Sequence, residues 1–376
     1  MDVLFSEEQE LLRSGVREFL ARECPAAAVR QLALAGQGLP DALWKKLADL
    51  GWVGLCLPEA YGGGGLGQVE LAIVLAEMGR VLLPGPYLGA VVAALAVADG
   101  ATDAVKKRIL PGLAAGERRA TLAVLEAGGR WDATGVALEA RPAGGGFQLC
   151  GAKRFVPDAD VADWLVVPAR TSASGARGVT LFLVDARAPG LSLQRVETTD
   201  LTRRHSEVVF TDVAVGPGDV LGEMDAGAPL LDRALDRAKV ALCADSCGGA
   251  ERVLELSVAY ARVREQFGRA IGTQQAIQHK CADMLVRVEG AKAATWRAAW
   301  CLDEAEPDAH RAACEAKAWV GDAYLRVAGD GIQIHGGLGF TWEQDLHLYY
   351  KRAALSSVTC GDGATNRELA ARELLG

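Results

Sequence analysis

The sequence lacks any paired cysteine: Cys24, Cys56, Cys150, Cys243, Cys247, Cys281, Cys301, Cys314 and Cys360 stand singly, without a Cys-x-x-Cys. An odd number so spread closes no disulfide framework and points to a reducing, cytoplasmic setting. An excess of positive charge is missing as well, since 40 Lys+Arg face 48 Asp+Glu for a net charge of −8, which argues against a nucleic-acid binder. Long apolar runs are absent. The longest, Tyr87 to Ala98, is well short of the ~20 residues of a membrane span. Met1 to Glu8 carry no basic segment followed by an apolar one, so no secretory signal is expected. The five histidines show no ligand spacing, and no metal site is expected. Nucleophile elbows, phosphate-binding P-loops and His-Glu-x-x-His are also missing, and hydrolase and kinase readings fall away.

What the 376 residues do hold is a composition that is 50% hydrophobic and 23% charged, enough to bury a large core spread over two or three domains. After Ser6, an N-cap with Gln9 as its capping-box partner, Leu11, Leu12, Val16, Phe19 and Leu20 fall at helical period. Helices are expected over Asp41 to Leu50, Val69 to Arg80, Tyr87 to Asp99 and Asp103 to Ala114. From about Ala120 the period becomes two, over Thr121 to Leu125, Phe147 to Cys150, Trp164 to Pro168, Val179 to Asp185, Leu191 to Val196 and Glu207 to Phe210. Turns at Gly144-Gly145-Gly146 and Ser174-Gly175 separate them. Helical period returns near Ala226 and lasts to the end. The fold class is α+β and mostly α: an N-terminal helical domain over 1–118, a β-sandwich or barrel over 119–223 and a C-terminal helical bundle over 224–376.

Three glycine-rich or basic segments are candidates for chemistry. Gly62, Gly64 and Gly67 satisfy the dinucleotide fingerprint as a pattern, but Pro58 interrupts the would-be strand and no βαβ unit follows, so a helix-to-helix loop is the better account. Arg264-Glu265-Gln266-Phe267-Gly268-Arg269 offers fixed donors for phosphate or hydroxyl oxygens and a Phe to pack on a ring; from the residues alone, a helix end with a solvated charged face and one core Phe is the better account. Gln333-Ile334-His335-Gly336-Gly337-Leu338-Gly339 brings backbone N–H groups within reach of a ligand, or merely turns between helices.

In order and spacing these segments resemble the acyl-CoA dehydrogenase family of flavoproteins over essentially the whole chain. The resemblance rests on Leu57-Pro58-Glu59-Ala60-Tyr61-Gly62-Gly63, the Lys153-Arg154-Phe155-Val156 strand, Phe210-Thr211-Asp212-Val213-Ala214-Val215, Arg264-Glu265-Gln266-Phe267-Gly268 and Gln333 to Gly339. It implies a four-helix C-terminal bundle, FAD as cofactor, an acyl-CoA substrate and an electron-transferring flavoprotein as oxidant. The assembly implied is a tetramer built from dimers, either a homotetramer or a heterotetramer with a homologous subunit. By position, Leu125, Phe155, Val156 and Pro157 would adjoin the isoalloxazine ring. Arg264, Gln266, Phe267 and Gln275, with Gln333, Ile334, His335, Gly336 and Gly337, would hold the rest of the FAD across a dimer interface. Asp236, Lys239 and Arg367 match positions near the CoA thioester and the C-terminus.

The same resemblance exposes departures. Cys360-Gly361 stands where the family has its Glu-Gly base, Ala238 stands at a rarer base position, and the nearest acid is Asp362. A thiol with reference pKa near 8.5 is a poor base at neutral pH, and an apolar pocket raises it further. Pro157 replaces a threonine near flavin N5, and Leu125 replaces another near the pyrimidine edge. Three alternatives stay open: a catalytically silent, FAD-contributing subunit; a scaffold without flavin; and a flavoprotein of other chemistry, such as an oxidase or monooxygenase.

Overall fold

The computed structural model describes residues 5–172 and 177–375; the expected turn at Ser174-Gly175 lies outside them. Helix α1 (Glu7–Glu23) begins as its sequence demands, with Gln9 N–H donating to Ser6 Oγ at 3.2 Å and Ser6 N–H donating to Gln9 Oε1 at 3.0 Å. Then come α2 (Ala26–Leu34), α3 (Asp41–Asp49), α4 (Gln68–Arg80), α5 (Tyr87–Gly100) and α6 (Asp103–Ala114). Sequence periodicity misses α2 because only Val29 and Ala33 of it are buried, too few to set a phase. Helix α5 is apolar on nearly every face because it lies enclosed between α6, α7 and β1.

The middle region is a single sheet of β1 (Ala120–Leu122), β2 (Glu139–Ala143), β3 (Gly146–Pro157), β4 (Trp164–Arg170), β5 (Val179–Asp185), β6 (Leu191–Val196), β7 (His205–Val215) and β8 (Val220–Leu221). The order is β6-β7-β3-β2-β4-β5-β8, with β1 parallel to β4. Strand β3 runs seven residues past the expected end at Cys150. Bulges between Leu149 and Gly151 and between Lys153 and Val156 break its alternation, so a period-two reading stops too soon. Strand β2 escapes notice because it is mostly exposed and contains Pro142.

The C-terminal part is α7 (Ala228–Val263), a hairpin of β9 (Glu265–Gln266) and β10 (Arg269–Ala270), then α8 (Gln275–Asp303), α9 (Ala309–His335), α10 (Leu346–Val358) and α11 (Gly363–Leu375). Helices α7, α8, α9 and α10 pack as a bundle with α11 against α9, and α4 crosses α7. That crossing is possible only at glycines: a Cβ on Gly79 would lie 1.9 Å from Asp245 O, and one on Gly248 would lie 1.7 Å from Ala76 O. Fully buried Arg352 of α10 joins all three parts, donating to Leu82 O (3.2 Å), Leu83 O (2.9 Å), Thr202 Oγ1 (2.6 Å) and Asp245 Oδ1 (3.3 Å).

Candidate active site

A cavity of about 330 Å³ opens where the start of α5, the ends of β3 and β7, and helices α7 and α10 meet, a volume at the lower end of the roughly 300–1,000 Å³ of small-molecule sites. One wall is sheet-derived: Leu125, Phe155 and Pro157. The opposite wall is helical, with Leu235, Ala238 and Leu242 from α7 and Thr359 and Cys360 from the α10–α11 turn. Gly85, Pro86 and Gly89 close the third side. Fully buried Lys153 fixes the sheet wall, its ammonium 2.6 Å from Glu126 Oε1 and 3.3 Å from Val124 O. Burial pulls that ammonium down to about 8. The clamp sets Leu125 against β3, where Arg154 N–H donates to Leu125 O at 2.7 Å.

Phe155, Asp158 and Cys360 line this cavity with φ of 50°, 48° and 59°. Left-handed backbone at non-glycine residues costs of order 1–3 kcal/mol each and gathers at functional sites. The turn bearing Cys360 is rigidly held. Asn366 Nδ2 donates to the carbonyls of Cys360 (3.2 Å), Gly361 (2.9 Å) and Asp362 (3.0 Å), and Lys317 Nζ donates to Ser357 O and Gly361 O, both at 3.0 Å. Burial pushes the Cys360 thiol up to about 11 even though Lys317 opposes the shift. Asp362, by contrast, is exposed and does not line the cavity. Its carboxylate accepts from Thr365 N–H at 2.8 Å, capping α11, and hydrogen bonds from Thr365 hold it below the ordinary carboxylate range.

The other residues singled out in the sequence fall into separate places. Val156 is buried behind the sheet wall at 1% exposure. Arg264, Gln266, Phe267 and Gln275 are exposed where α7 gives way to the β9–β10 hairpin, whose turn residues Phe267 and Gly268 have φ of 55° and 77°. Gln333, Gly336 and Gly337 are exposed at the end of α9, at the same end of the bundle, because His335 stacks on Tyr260 of α7 with centroids 4.2 Å apart. Ile334 and His335 are themselves buried, and His335 Nδ1 is bonded to Gly331 O at 2.8 Å. Arg367 is exposed and pairs with Asp322 at 3.3 Å.

Asp236 and Lys239 do not line the cavity; they are buried against α9. Lys239 Nζ lies 3.1 Å from Asp236 Oδ1 and 3.2 Å from Cys314 Sγ. His310 Nδ1–H donates to both Asp236 oxygens at 2.9 Å, and those hydrogen bonds raise the imidazole to about 10. Asp236, His310 and Cys314 thus form a cluster of metal-ligating residue types that the spacing of histidines along the chain does not reveal, but the Lys239 ammonium already stands between the carboxylate and the sulfur.

Three ionisable cavity residues escaped the sequence reading: Asp158, Arg203 and His205. The polar run Thr202-Arg203-Arg204-His205 before an apolar strand was the signal available. Arg203 pairs with Asp245 at 2.7 Å. Burial pushes the Asp158 carboxyl up to about 7, with the Arg204 guanidinium only partly offsetting it. Burial and the neighbouring Arg203 hold His205 down to about 4.

Comparison with known proteins gives a consistent result along the chain. Residues 6–117 match the family description "Acyl-CoA dehydrogenase, N-terminal domain", 121–213 the middle domain and 225–375 the C-terminal domain. The acyl-CoA dehydrogenase IpdE2 of Mycobacterium tuberculosis is 32% identical over 351 residues, 92% of this chain and 91% of that protein. Among solved structures, the ChsE4-ChsE5 complex from Mycobacterium tuberculosis is 30% identical with a TM-score of 0.90, covering 100% of this chain and 99% of that one. The structure described as "PigA with FAD and proline" is 26% identical with a TM-score of 0.92, covering 100% of this chain and 99% of that one.

Proposed function

The chain belongs to the acyl-CoA dehydrogenase family of oxidoreductases, and from that premise we propose that it binds FAD and acts on the Cα–Cβ bond of an acyl-CoA thioester, with electrons passing to an electron-transferring flavoprotein. One observation carries the reading: a single, mostly apolar cavity joins Leu125, Phe155 and Pro157 on one wall to Ala238, Thr359 and Cys360 on the other. The residues fit a flat ring. Phe155, 42% exposed, offers an aromatic face, and Asp158 and His205, which line the same cavity, each keep a polar atom without a hydrogen-bond partner. Bound there, FAD would supply the hydride acceptor.

The chain's own part is to exclude water and to hold the reacting bond between the two walls. The outer half of the cofactor would rest on Arg264, Phe267, Gln275 and Gln333. Phe267 is 93% exposed, with Phe340 at 75% and Trp342 at 56%, an apolar surface that a second subunit would cover. Among the described residues no helix is long and apolar enough to cross a membrane, and the nine unpaired thiols suit a reducing cytoplasm.

A second reading is favoured by Cys360. With its thiol near 11, only about one molecule in ten thousand carries a thiolate at pH 7, and Asp362 points to solvent. The chain is then the FAD-contributing half of a heteromeric enzyme whose homologous partner holds the base, in keeping with the two-component ChsE4-ChsE5 complex among its structural relatives. Anaerobic titration with acyl-CoA thioesters, alone and after co-expression with a homologous subunit, tests both. Flavin bleaching by the chain alone supports the self-sufficient enzyme, and bleaching only with the partner supports the heteromer. A protein that stays colourless after incubation with FAD refutes both.

A further inference from the structure

His205 opens β7 and pairs directly across the ladder with Pro157, the last residue of β3. Both line the cavity. Pro157 has no N–H to give, and its carbonyl is already engaged by Thr121 Oγ1 at 2.7 Å. Polar capacity at this edge therefore falls to the neighbouring side chains. Arg203 is committed to Asp245 at 2.7 Å, and Thr359 Oγ1 to Leu355 O at 2.9 Å. His205 and Asp158 are less engaged: each is at least nine-tenths buried, at 5% and 6% exposure, His205 Nδ1 and Asp158 Oδ1 have no hydrogen-bond partner, and Asp158 Oδ1 has only a 3.8 Å ion-pair contact with Arg204 Nε. Leaving a buried polar atom unpaired costs about 1–3 kcal/mol. Two residues of this kind lining one cavity mark a place where a ligand completes the bonding.

The charge at this spot narrows the ligand. Arg203 and Arg204 face the pair from the β7 side, Asp160 from the turn after β3 and Asp200 from the loop before β7. His205, held down to about 4, is a neutral imidazole at physiological pH, with one donor and one acceptor. That suits an uncharged amide or imide edge and not a phosphate.

We propose that His205, with Asp158 of the same cavity, is this chain's hydrogen-bonding contact to the polar edge of the bound isoalloxazine ring, taking the place of the donor that Pro157 cannot supply. The proposal rests on the FAD reading above. The test uses FAD-loaded protein with no acyl-CoA present, reading the flavin absorption spectrum, FAD affinity and midpoint potential of wild type, His205→Phe, His205→Gln and Asp158→Asn. One hydrogen bond of ordinary net strength corresponds to roughly five- to tenfold in an equilibrium. His205→Phe should lose up to about tenfold preference for the reduced ring, which for a two-electron couple is a potential lower by about 30 mV. His205→Gln, which keeps a donor, should recover most of it.

A wild type that binds no flavin refutes the FAD reading and this proposal together. A flavin-bearing wild type whose spectrum and potential are unmoved by His205→Phe refutes the proposal alone. So does a difference that emerges only after acyl-CoA is added, because the contact would then belong to the acyl ligand. If His205→Phe does not fold, His205→Gln and Asp158→Asn decide, and unaltered flavin properties in both overturn the proposal.

Discussion

Replacing Arg352 with methionine removes a guanidinium that binds the N-terminal helices, the loop before β7 and the bundle to each other. Arg352 is fully buried, and the two acids it serves, Asp200 and Asp245, are 2% and 4% exposed. Asp245 keeps a second cation, Arg203 at 2.7 Å. Asp200, 3.7 Å from the Arg352 guanidinium, is left with hydrogen bonds from Thr202 and the more distant charge of Arg203, but no direct ion pair. Breaking a buried pair from one side costs about 3–5 kcal/mol, because an uncompensated charge remains. The carbonyls of Leu82 and Leu83 lose their donor as well. Per-residue unfolding entropy of about 2.1 cal/mol/K over the chain gives about 0.8 kcal/mol/K, so a loss of 4 kcal/mol should lower the melting temperature by about 5 °C. Calorimetry or circular dichroism measures this. Adding Asp200→Asn to Arg352→Met should recover a substantial part of the loss, since it removes the stranded charge. A single variant within about 1 °C of wild type, or a double variant no better than the single, would refute the reasoning. Because Leu83 lies two residues before cavity-lining Gly85, lower FAD retention should accompany the loss.

Cys360→Glu places a carboxylate in the cavity on a turn already held by Asn366 and Lys317; the FAD-loaded variant should be bleached by an acyl-CoA at least about a hundredfold faster than wild type, the lower end of what a positioned base contributes, and an unchanged rate would show that position 360 does not face the reacting bond. Asp158 and His205 act oppositely on stability. With its native value raised to about 7, Asp158 keeps a proton that the unfolded chain has lost, so its contribution falls from about pH 4 to pH 7. His205, depressed to about 4, contributes fully above about pH 6.5 and loses that contribution as pH falls toward 4. The two slopes nearly cancel in wild type, so urea titrations should show Asp158→Asn gaining stability relative to wild type as pH rises from 4 to 6.5 and His205→Gln losing it; parallel curves would contradict both assignments. Gly79→Ala should cost more than about 3 kcal/mol by overpacking the α4–α7 crossing, whereas Gly218→Ala, with nothing within 4 Å of its Cβ, should stay within about 0.5 kcal/mol; equal stabilities in chemical denaturation would exclude backbone contact at Gly79.

Much of the architecture was legible before any coordinates because it depends on local chemistry. The Ser6–Gln9 capping box, the period of α4 and the apolar, β-branched run of β5 each rest on residues within a few positions of one another, and all three elements formed where they were expected, although β5 is buried on both faces instead of alternating. Strand β3 was legible only to Cys150 because its bulges invert the side-chain alternation. The segments that resemble flavin-binding motifs were readable as patterns. Their sorting into a cavity wall at Leu125, Phe155 and Pro157, and an exposed strip at Arg264, Phe267 and Gln333, was not.

The sequence by itself determined the α, β, α succession, the family resemblance and the absence of a carboxylate at position 360, since each is a statement about residue type and spacing. Tertiary structure alone decided that Asp362 caps a helix in solvent, that Asp236 and Lys239 turn inward to His310 and Cys314, and that Asp158 and His205 come to the cavity with polar atoms unpaired. The physical reason is common to all three. Burial and hydrogen-bond partnership arise from segments far apart in the chain meeting in space, and no periodicity along the chain encodes which of them meet.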